Sequence, residues 1–174
     1  MDAIEKLIAK SEIEENLCRY ARGVDRRDWP AVRECYHDDA TDWHGEFQGS
    51  PGGFIEWVSA RHAQIPFSMH FLGNCLIEFD DARSAHAETY FVAISRRETK
   101  TNSENSEGRD TEIFGRYVDR FEKRADNVWR VASRQVVYDS SRTLQSTHHL
   151  RELQGVMGER SRKDAVYRTV RAAE

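Results

Sequence analysis

The sequence predicts an α+β domain: N-terminal helices are segregated to one side of a curved, mostly antiparallel sheet. Two observations predict it. Apolar residues recur at helical spacing up to about residue 61, and after Pro66 the period changes to two and holds to about residue 138. Helices first and long strands afterwards, joined by short turns, is the order of the α+β class. The length, 174 residues, suits one domain with one core.

Taken in order, Asp2-Ala-Ile-Glu5 starts the first helix, with Asp2 as cap and Glu5 reaching back. Ile4, Leu7, Ile8, Ile13, Leu17, Tyr20, Ala21 and Val24 form its apolar face. Ser11-Glu-Ile-Glu14 offers a second cap, so a break near residue 11 is allowed, and Gly23 is the expected stop. Asp28-Trp-Pro30 opens a short second helix, since proline in a first turn removes an N–H that has no partner anyway. His37 to Ala40 reads as a turn and Thr41 to His44 as a short strand. Pro51-Gly-Gly53 opens a third helix with Phe54, Trp57, Val58 and Arg61 on one side, and Pro66 closes it. In the strand that follows, His70, Leu72, Asn74 and Leu76 share one face, and Met69, Phe71, Gly73, Cys75, Ile77 and Phe79 the other. Strands follow at about 84–98, 110–124 and 128–138, with the polar stretch 99–109 as a hairpin loop. Residues 141–174 are polar and arginine-rich and form a C-terminal extension, expected to be flexible or to make oligomer contacts. Within it Ser161-Arg-Lys-Asp164 can cap a short helix.

The net charge of −4 lacks the clustered positive charge of a nucleic-acid binder. No apolar run is long enough to cross a bilayer and Met1-Asp-Ala-Ile-Glu-Lys lacks the order of a signal peptide, so the expected location is cytoplasmic. Cys18, Cys35 and Cys75 are widely spaced and read as small buried hydrophobes. Gly52-Gly53 is a helix start and not a phosphate loop; no HExxH or HxH motif is present, and His148-His149 reads as surface, so no metal or other cofactor is expected.

Four residues form a candidate catalytic set: Tyr20, Asp25, His70 and Arg134. Imidazole titrates near working pH, which makes His70 the natural general base. A carboxylate at Asp25 would hold its tautomer and stabilise the imidazolium. Arg134 would offer a donor fork to a developing anion or leaving group, and Tyr20 a phenolic hydrogen bond. Each has a structural alternative: Asp25 as a loop tie before Trp29, Tyr20 as core packing, His70 as a strand histidine, Arg134 as the partner of a structural acid. His44, Trp43, Trp57, Leu72, Asn74, Tyr117 and Tyr138, with Phe71, are candidates for the wall of an apolar, substrate-binding pocket.

Tyr20-x4-Asp25 followed by Arg-Arg-Asp-Trp29 resembles the first helices of the SnoaL-like branch of the NTF2-like superfamily. So do Met-His-Phe-Leu-Gly-Asn at 69–74, Gly-Arg-Tyr-Val-Asp-Arg-Phe-Glu at 115–122 and Val-Trp-Arg-Val at 128–131. The resemblance covers about residues 5–140 and implies residues 1–140 as one cone-shaped domain with a pocket at its open end. Within that branch the chain is similar to the hexachlorocyclohexane dehydrochlorinase, bile-acid 7α-dehydratase and, more distantly, scytalone dehydratase groups. The dehydrochlorinase group's acid, histidine and arginine map onto Asp25, His70 and Arg134, while its lysine falls at Tyr20. The resemblance implies a cofactor-independent lyase acting on a hydrophobic cyclic or aromatic small molecule, and a homodimer or homotrimer. Isomerases, polyketide-cyclase-like enzymes and non-catalytic binding or assembly modules share the fold, so fold leaves these alternatives open.

Overall fold

The structure is a computed structural model, and it describes residues 1–100, 106–146 and 155–169. Helix α1 (Ala3–Arg26) begins at the expected capping box, with the Asp2 side chain accepting from Glu5 N at 2.8 Å and the Glu5 side chain accepting from Asp2 N at 2.8 Å. It runs unbroken through residue 11. The stop is not Gly23: the helix continues three residues further, to Arg26, and its C-cap Arg27 takes the left-handed conformation (φ 53°). Gly23 serves close approach instead. A Cβ there would lie 2.7 Å from Val32 Cγ2 and 3.3 Å from the Asp28 carbonyl. Gly23→Ala is therefore expected to lower stability by about 1–3 kcal/mol through overpacking, although alanine is the better helix former. Urea unfolding measures it, and an unchanged midpoint would contradict the contact.

Helix α2 (Trp29–Glu34) is followed directly by β1 (Tyr36–His44), so the turn expected at 37–40 is strand. The cause is pairing: β1 runs parallel to a late strand and its register shifts between Tyr36 and Thr41, a bulge that carries the polar His37-Asp-Asp run. Gly45 (φ 64°) turns the chain into the short β2 (Phe47–Gly49), which the sequence reading did not anticipate. Helix α3 (Pro51–His62) has the expected start, with Ser50 Oγ accepting from Gly53 N.

The strands β3 (Phe67–Phe79), β4 (Ser84–Lys100), β5 (Ser106–Lys123) and β6 (Trp129–Ser146) form an antiparallel meander. The six-stranded sheet has the order β2-β1-β6-β5-β4-β3, with β1 parallel to β6, and it is curved and unclosed. β4, β5 and β6 are longer than expected, because backbone pairing continues through polar sequence; the turn between β4 and β5 lies outside the described residues. The core gathers Ile13, Leu17, Tyr20, Val32, Phe54, Phe91, Phe121, Trp129 and Val131 between the helices and the concave face. Cys35 is buried, while Cys18 is exposed, contrary to the expectation that all three cysteines are interior. Among the described residues, no helix is long and apolar enough to cross a membrane.

A register shift in β3 between Leu72 and Cys75 corrects the strand faces. Ser68, His70 and Leu72 lie opposite Ser95, Ala93 and Phe91 and face inward; beyond the bulge Cys75 and Ile77 take over that face. Asn74 falls in the irregularity and is exposed, and Phe71 is exposed on the convex face, so neither is a pocket residue. Of the extension expected at 141–174, residues 141–146 continue β6, and 155–169 end in α4 (Ala165–Thr169), whose first turn is capped by Asp164 Oδ1 accepting from Val166 N at 3.1 Å. His148-His149 lies outside the described residues.

Candidate active site

The last turn of α1 places Asp25 beside the first residues of β3. Its carboxylate accepts three hydrogen bonds: Oδ1 from Ser68 Oγ at 3.1 Å, Oδ2 from the His70 backbone N–H at 2.8 Å, and Oδ1 from the His70 ring Nδ1 at 2.7 Å. The last bond puts the proton on Nδ1 and leaves Nε2 as the basic lone pair. Among the described residues nothing hydrogen-bonds Nε2, and both side chains keep a small exposure, 10% for Asp25 and 11% for His70. Sequence reasoning did not anticipate Ser68; its position two residues before the histidine, on the same strand face, was the available signal.

Tyr20 and Arg134 do not join this pair. Residues five apart on an α-helix are rotated by about 140°, so Tyr20 cannot face where Asp25 faces. Tyr20 points into the core at 1% exposure, against Tyr36, Phe54 and Tyr117. Arg134 is fully buried, and its donor fork is closed by a bidentate pair with Asp119: Nε to Oδ1 at 2.7 Å and Nη2 to Oδ2 at 2.6 Å. The Tyr20 and Tyr117 rings lie at 4.1 and 4.3 Å from the guanidinium carbon. Burial opposes the charge on Arg134, but Asp119 and the surrounding phenols hold its pKa well above the ordinary arginine value. Burial in turn keeps the Tyr20 phenol well above its ordinary range despite Arg134. The expectation of an Arg134 fork open to a reactant is thus corrected: cross-strand pairing sets Asp119 opposite Arg134, and the pair closes on itself.

A polar chain leads from this pair toward the surface. Arg134 Nη1 donates to Tyr36 Oη at 3.3 Å, and Tyr36 Oη donates to Asp42 Oδ2 at 2.7 Å. The other Asp42 oxygen, fully buried and without a hydrogen bond, lies 3.5 Å from His44 Nδ1. His44 stacks on Phe54 at 4.9 Å. The inward residues of this stretch are therefore Asp42 and His44; Trp43, between them, is 49% exposed on the convex face and is not a pocket residue. Tyr117 is also corrected to core: it stacks on Phe91 at 4.4 Å and underlies Arg134.

A cavity of about 530 Å³ opens at the wide end of the cone, lined among others by His44, Trp57, His62, Ile65, Ile113 and Tyr138. Three of the expected pocket residues, His44, Trp57 and Tyr138, line it. Leu72 faces inward but packs against the core. His70 is not in the lining; it belongs to the same cross-strand rung as Ile113, through Ala93.

The C-terminal extension reaches the back of the Asp25 turn. Arg160 donates to the carbonyls of Val24 (3.0 Å), Asp25 (2.9 Å) and Ile65 (2.6 Å) and to His62 Nδ1 (2.7 Å). Tyr167 Oη donates to Asp28 Oδ2 at 2.8 Å, Arg162 pairs with Asp28, and Arg26 with Asp164 at 3.1 Å. These contacts fix the end of α1 against the exit of α3, and arginine near a helix C-terminus also complements its dipole. Burial, then Arg160 and His70, push the His62 pKa down to about 3. A base with a depressed folded pKa contributes stability that is complete above its unfolded value, 6.5, and is lost as pH falls toward about 3. Protonated His62 cannot accept from Arg160. Acidification through that window is expected to increase proteolytic cleavage of the 155–169 segment, and His62→Ala to flatten the dependence; a cleavage rate independent of pH in the parent protein contradicts this.

A SnoaL-like domain model matches residues 5–135, three quarters of the chain. Hexachlorocyclohexane dehydrochlorinase LinA-type3 from Novosphingobium barchaimii LL02 superposes with a TM-score of 0.72 at 18% identity, covering 85% of this chain and 98% of its own. The provisionally named scytalone dehydratase of Novosphingobium aromaticivorans DSM 12444 gives 0.69 at 17% identity, covering 86% and 94%. The beta subunit of a provisionally named aromatic-ring-hydroxylating dioxygenase from the same organism gives 0.57 at 21%, covering 78% and 92%. No curated protein matches the chain. At these identities the neighbours show the fold and no specific activity. Helices, curved sheet and family match agree: the chain belongs to the SnoaL-like domain family of the NTF2-like fold.

Proposed function

We propose that this protein is a cofactor-independent lyase in which His70 is the general base, Asp25 holds and charges it, and the substrate is a hydrophobic cyclic or aromatic small molecule. The observation that carries the reading is the Asp25–His70 pair, whose geometry leaves Nε2 without a partner among the described residues. Nε2 takes a proton from a substrate carbon; the C–H electrons form a double bond to the neighbouring carbon; the bond to the leaving group breaks, and the group departs with its electron pair as hydroxide or halide. Where a small aldehyde is lost, Nε2 instead takes the proton of the substrate hydroxyl; the O–H electrons form the C=O of the departing fragment, the C–C bond breaks, and its electron pair stays on the substrate as an enolate. The imidazolium is stabilised by Asp25 at 2.7 Å and later returns the proton to solvent or to the leaving group. Ser68 and the His70 N–H stop the carboxylate from rotating. Tyr20 and Arg134 have no contact with the reactant in this scheme; they form the rigid floor behind it.

The dehydrochlorinase and dehydratase names among the structural neighbours agree with this class without specifying it. Incubation in heavy water with cyclic and aromatic alcohols, halides and ketones tests it. Deuterium uptake or loss of a small fragment, absent in His70→Ala, is expected. Uptake without fragment loss would assign the same base to an isomerase. Silence across the panel, or a signal retained in His70→Ala, removes the lyase reading. Met69, Phe71, Leu76, Tyr90 and Val118 are exposed on the convex face. In this reading a second copy of the chain covers them, as a homodimer or homotrimer, and sedimentation velocity reads the assembly.

A further inference from the structure

The cavity has a charge that the rest of the chain does not predict. The protein is acidic overall, with a net charge of −4. Yet the described lining holds Arg61, Arg97 and Arg109 and contains no aspartate or glutamate. Arg97 on β4 and Arg109 on β5 stand directly opposite each other in the ladder, on the cavity side. Like charges so placed repel. Both are exposed, and neither has an ion pair or hydrogen bond among the described residues.

Other arginines on the same sheet are neutralised. Arg96, which neighbours Arg97 but faces the other way, pairs with Asp110 at 2.7 Å; Arg116 pairs with Glu88 and Asp139, and Arg142 with Glu112. The third lining arginine, Arg61, lies over the Trp57 ring at 4.7 Å and reaches Glu46 only at 3.5 Å, both side chains being largely solvated. Beneath the two facing arginines lies a rung of hydroxyls, Ser95, Thr111 and Thr143, and then the apolar wall of Ile113, Trp57 and Tyr138.

We propose that the cavity binds an amphipathic anion: an apolar ring lies against Trp57 and Ile113, and a carboxylate or related oxyanion is gripped by Arg97 and Arg109. Guanidinium forks match planar oxyanions, and a few placed charges on an apolar wall fix orientation as well as affinity. The unneutralised pair is thus a docking clamp for the end of the ligand remote from His70. This deepens the reading above, since it takes the cavity as the substrate site, but its test needs no turnover.

Calorimetry of the parent protein with 2-naphthoate and with neutral 2-naphthamide measures the clamp, and 2-naphthyl phosphate and 2-naphthalenesulfonate show which oxyanion it prefers. The expected result is that an anion binds about tenfold or more tightly than the amide, with an advantage that shrinks as salt is added. Arg97→Gln/Arg109→Gln is expected to abolish the difference while amide binding persists, and His70→Ala to keep it. Removing one of the repelling pair, as Arg97→Gln, is expected to raise the melting temperature. Equal binding of anions and amide by the parent protein, an anion preference that survives the double substitution, or a melting temperature lowered by Arg97→Gln would each overturn the proposal. An anion preference with no His70-dependent chemistry upholds the clamp and removes the lyase; His70-dependent chemistry with no anion preference does the reverse.

Discussion

His70→Ala is expected to lower turnover by about 10²- to 10⁴-fold, the usual contribution of a positioned general base, with little change in melting temperature. The Asp25 carboxylate keeps two donors in that variant, Ser68 Oγ and the residue 70 backbone N–H, so no buried charge is orphaned. Asp25→Asn is expected to fall by a similar factor for another reason. An amide that donates to Nδ1 places the ring proton on Nε2, where the base must be empty. Ser68→Ala removes one of three donors to the carboxylate, and the loss should be milder than for Asp25→Asn. Measuring kcat and melting temperature together on the three variants separates chemistry from folding. Turnover retained in His70→Ala would remove the base assignment, while a uniform fall in melting temperature with no specific rate effect would make the pair structural.

The second large effect concerns stability. Arg134→Ala is expected to destabilise the protein by about 3–5 kcal/mol, because Asp119 would be left as an uncompensated charge in the core. Asp119→Ala should cost about as much for the mirror reason. The double substitution Asp119→Leu/Arg134→Met should recover most of the loss, since an apolar pair of similar volume needs no desolvation. Urea denaturation of the three proteins reads this directly. An Arg134→Ala protein that unfolds at the parent midpoint and has lost only turnover would return Arg134 to the catalytic group and contradict the closed-pair geometry.

The Arg134 case marks where sequence reading stops. An arginine on an inward strand face needs a partner, and that much follows from the residue type and the period of two. Which partner it finds depends on the register between β5 and β6, and register arises from pairing across fifteen residues of chain, with one bulge, between Arg120 and Phe121, on the way. Asn74 went wrong for the same reason: an irregularity in β3 shifts the alternation, and a shift of one residue exchanges the faces. Trp43 went wrong on plain alternation, because neighbours in a regular strand point to opposite faces and His44 takes the inward one. Tyr20 went wrong on helix geometry, because spacing along the chain is not direction around the axis.

The sequence by itself determined the class of fold, the capped first helix, the proline-started helices and the strand order in time, because these depend on local periodicity and on end signals a few residues long. It also determined that Asp25 and His70 carry the chemistry types suited to each other. Tertiary structure alone decided that these two meet at 2.7 Å while Tyr20 and Arg134 turn away into a sealed pair. It alone brought Arg160 to the back of the site from 135 residues further along the chain and set Arg97 against Arg109 at the cavity mouth. Contacts of that range depend on bulges, register and sheet curvature, and those are properties of the packed sheet as a whole.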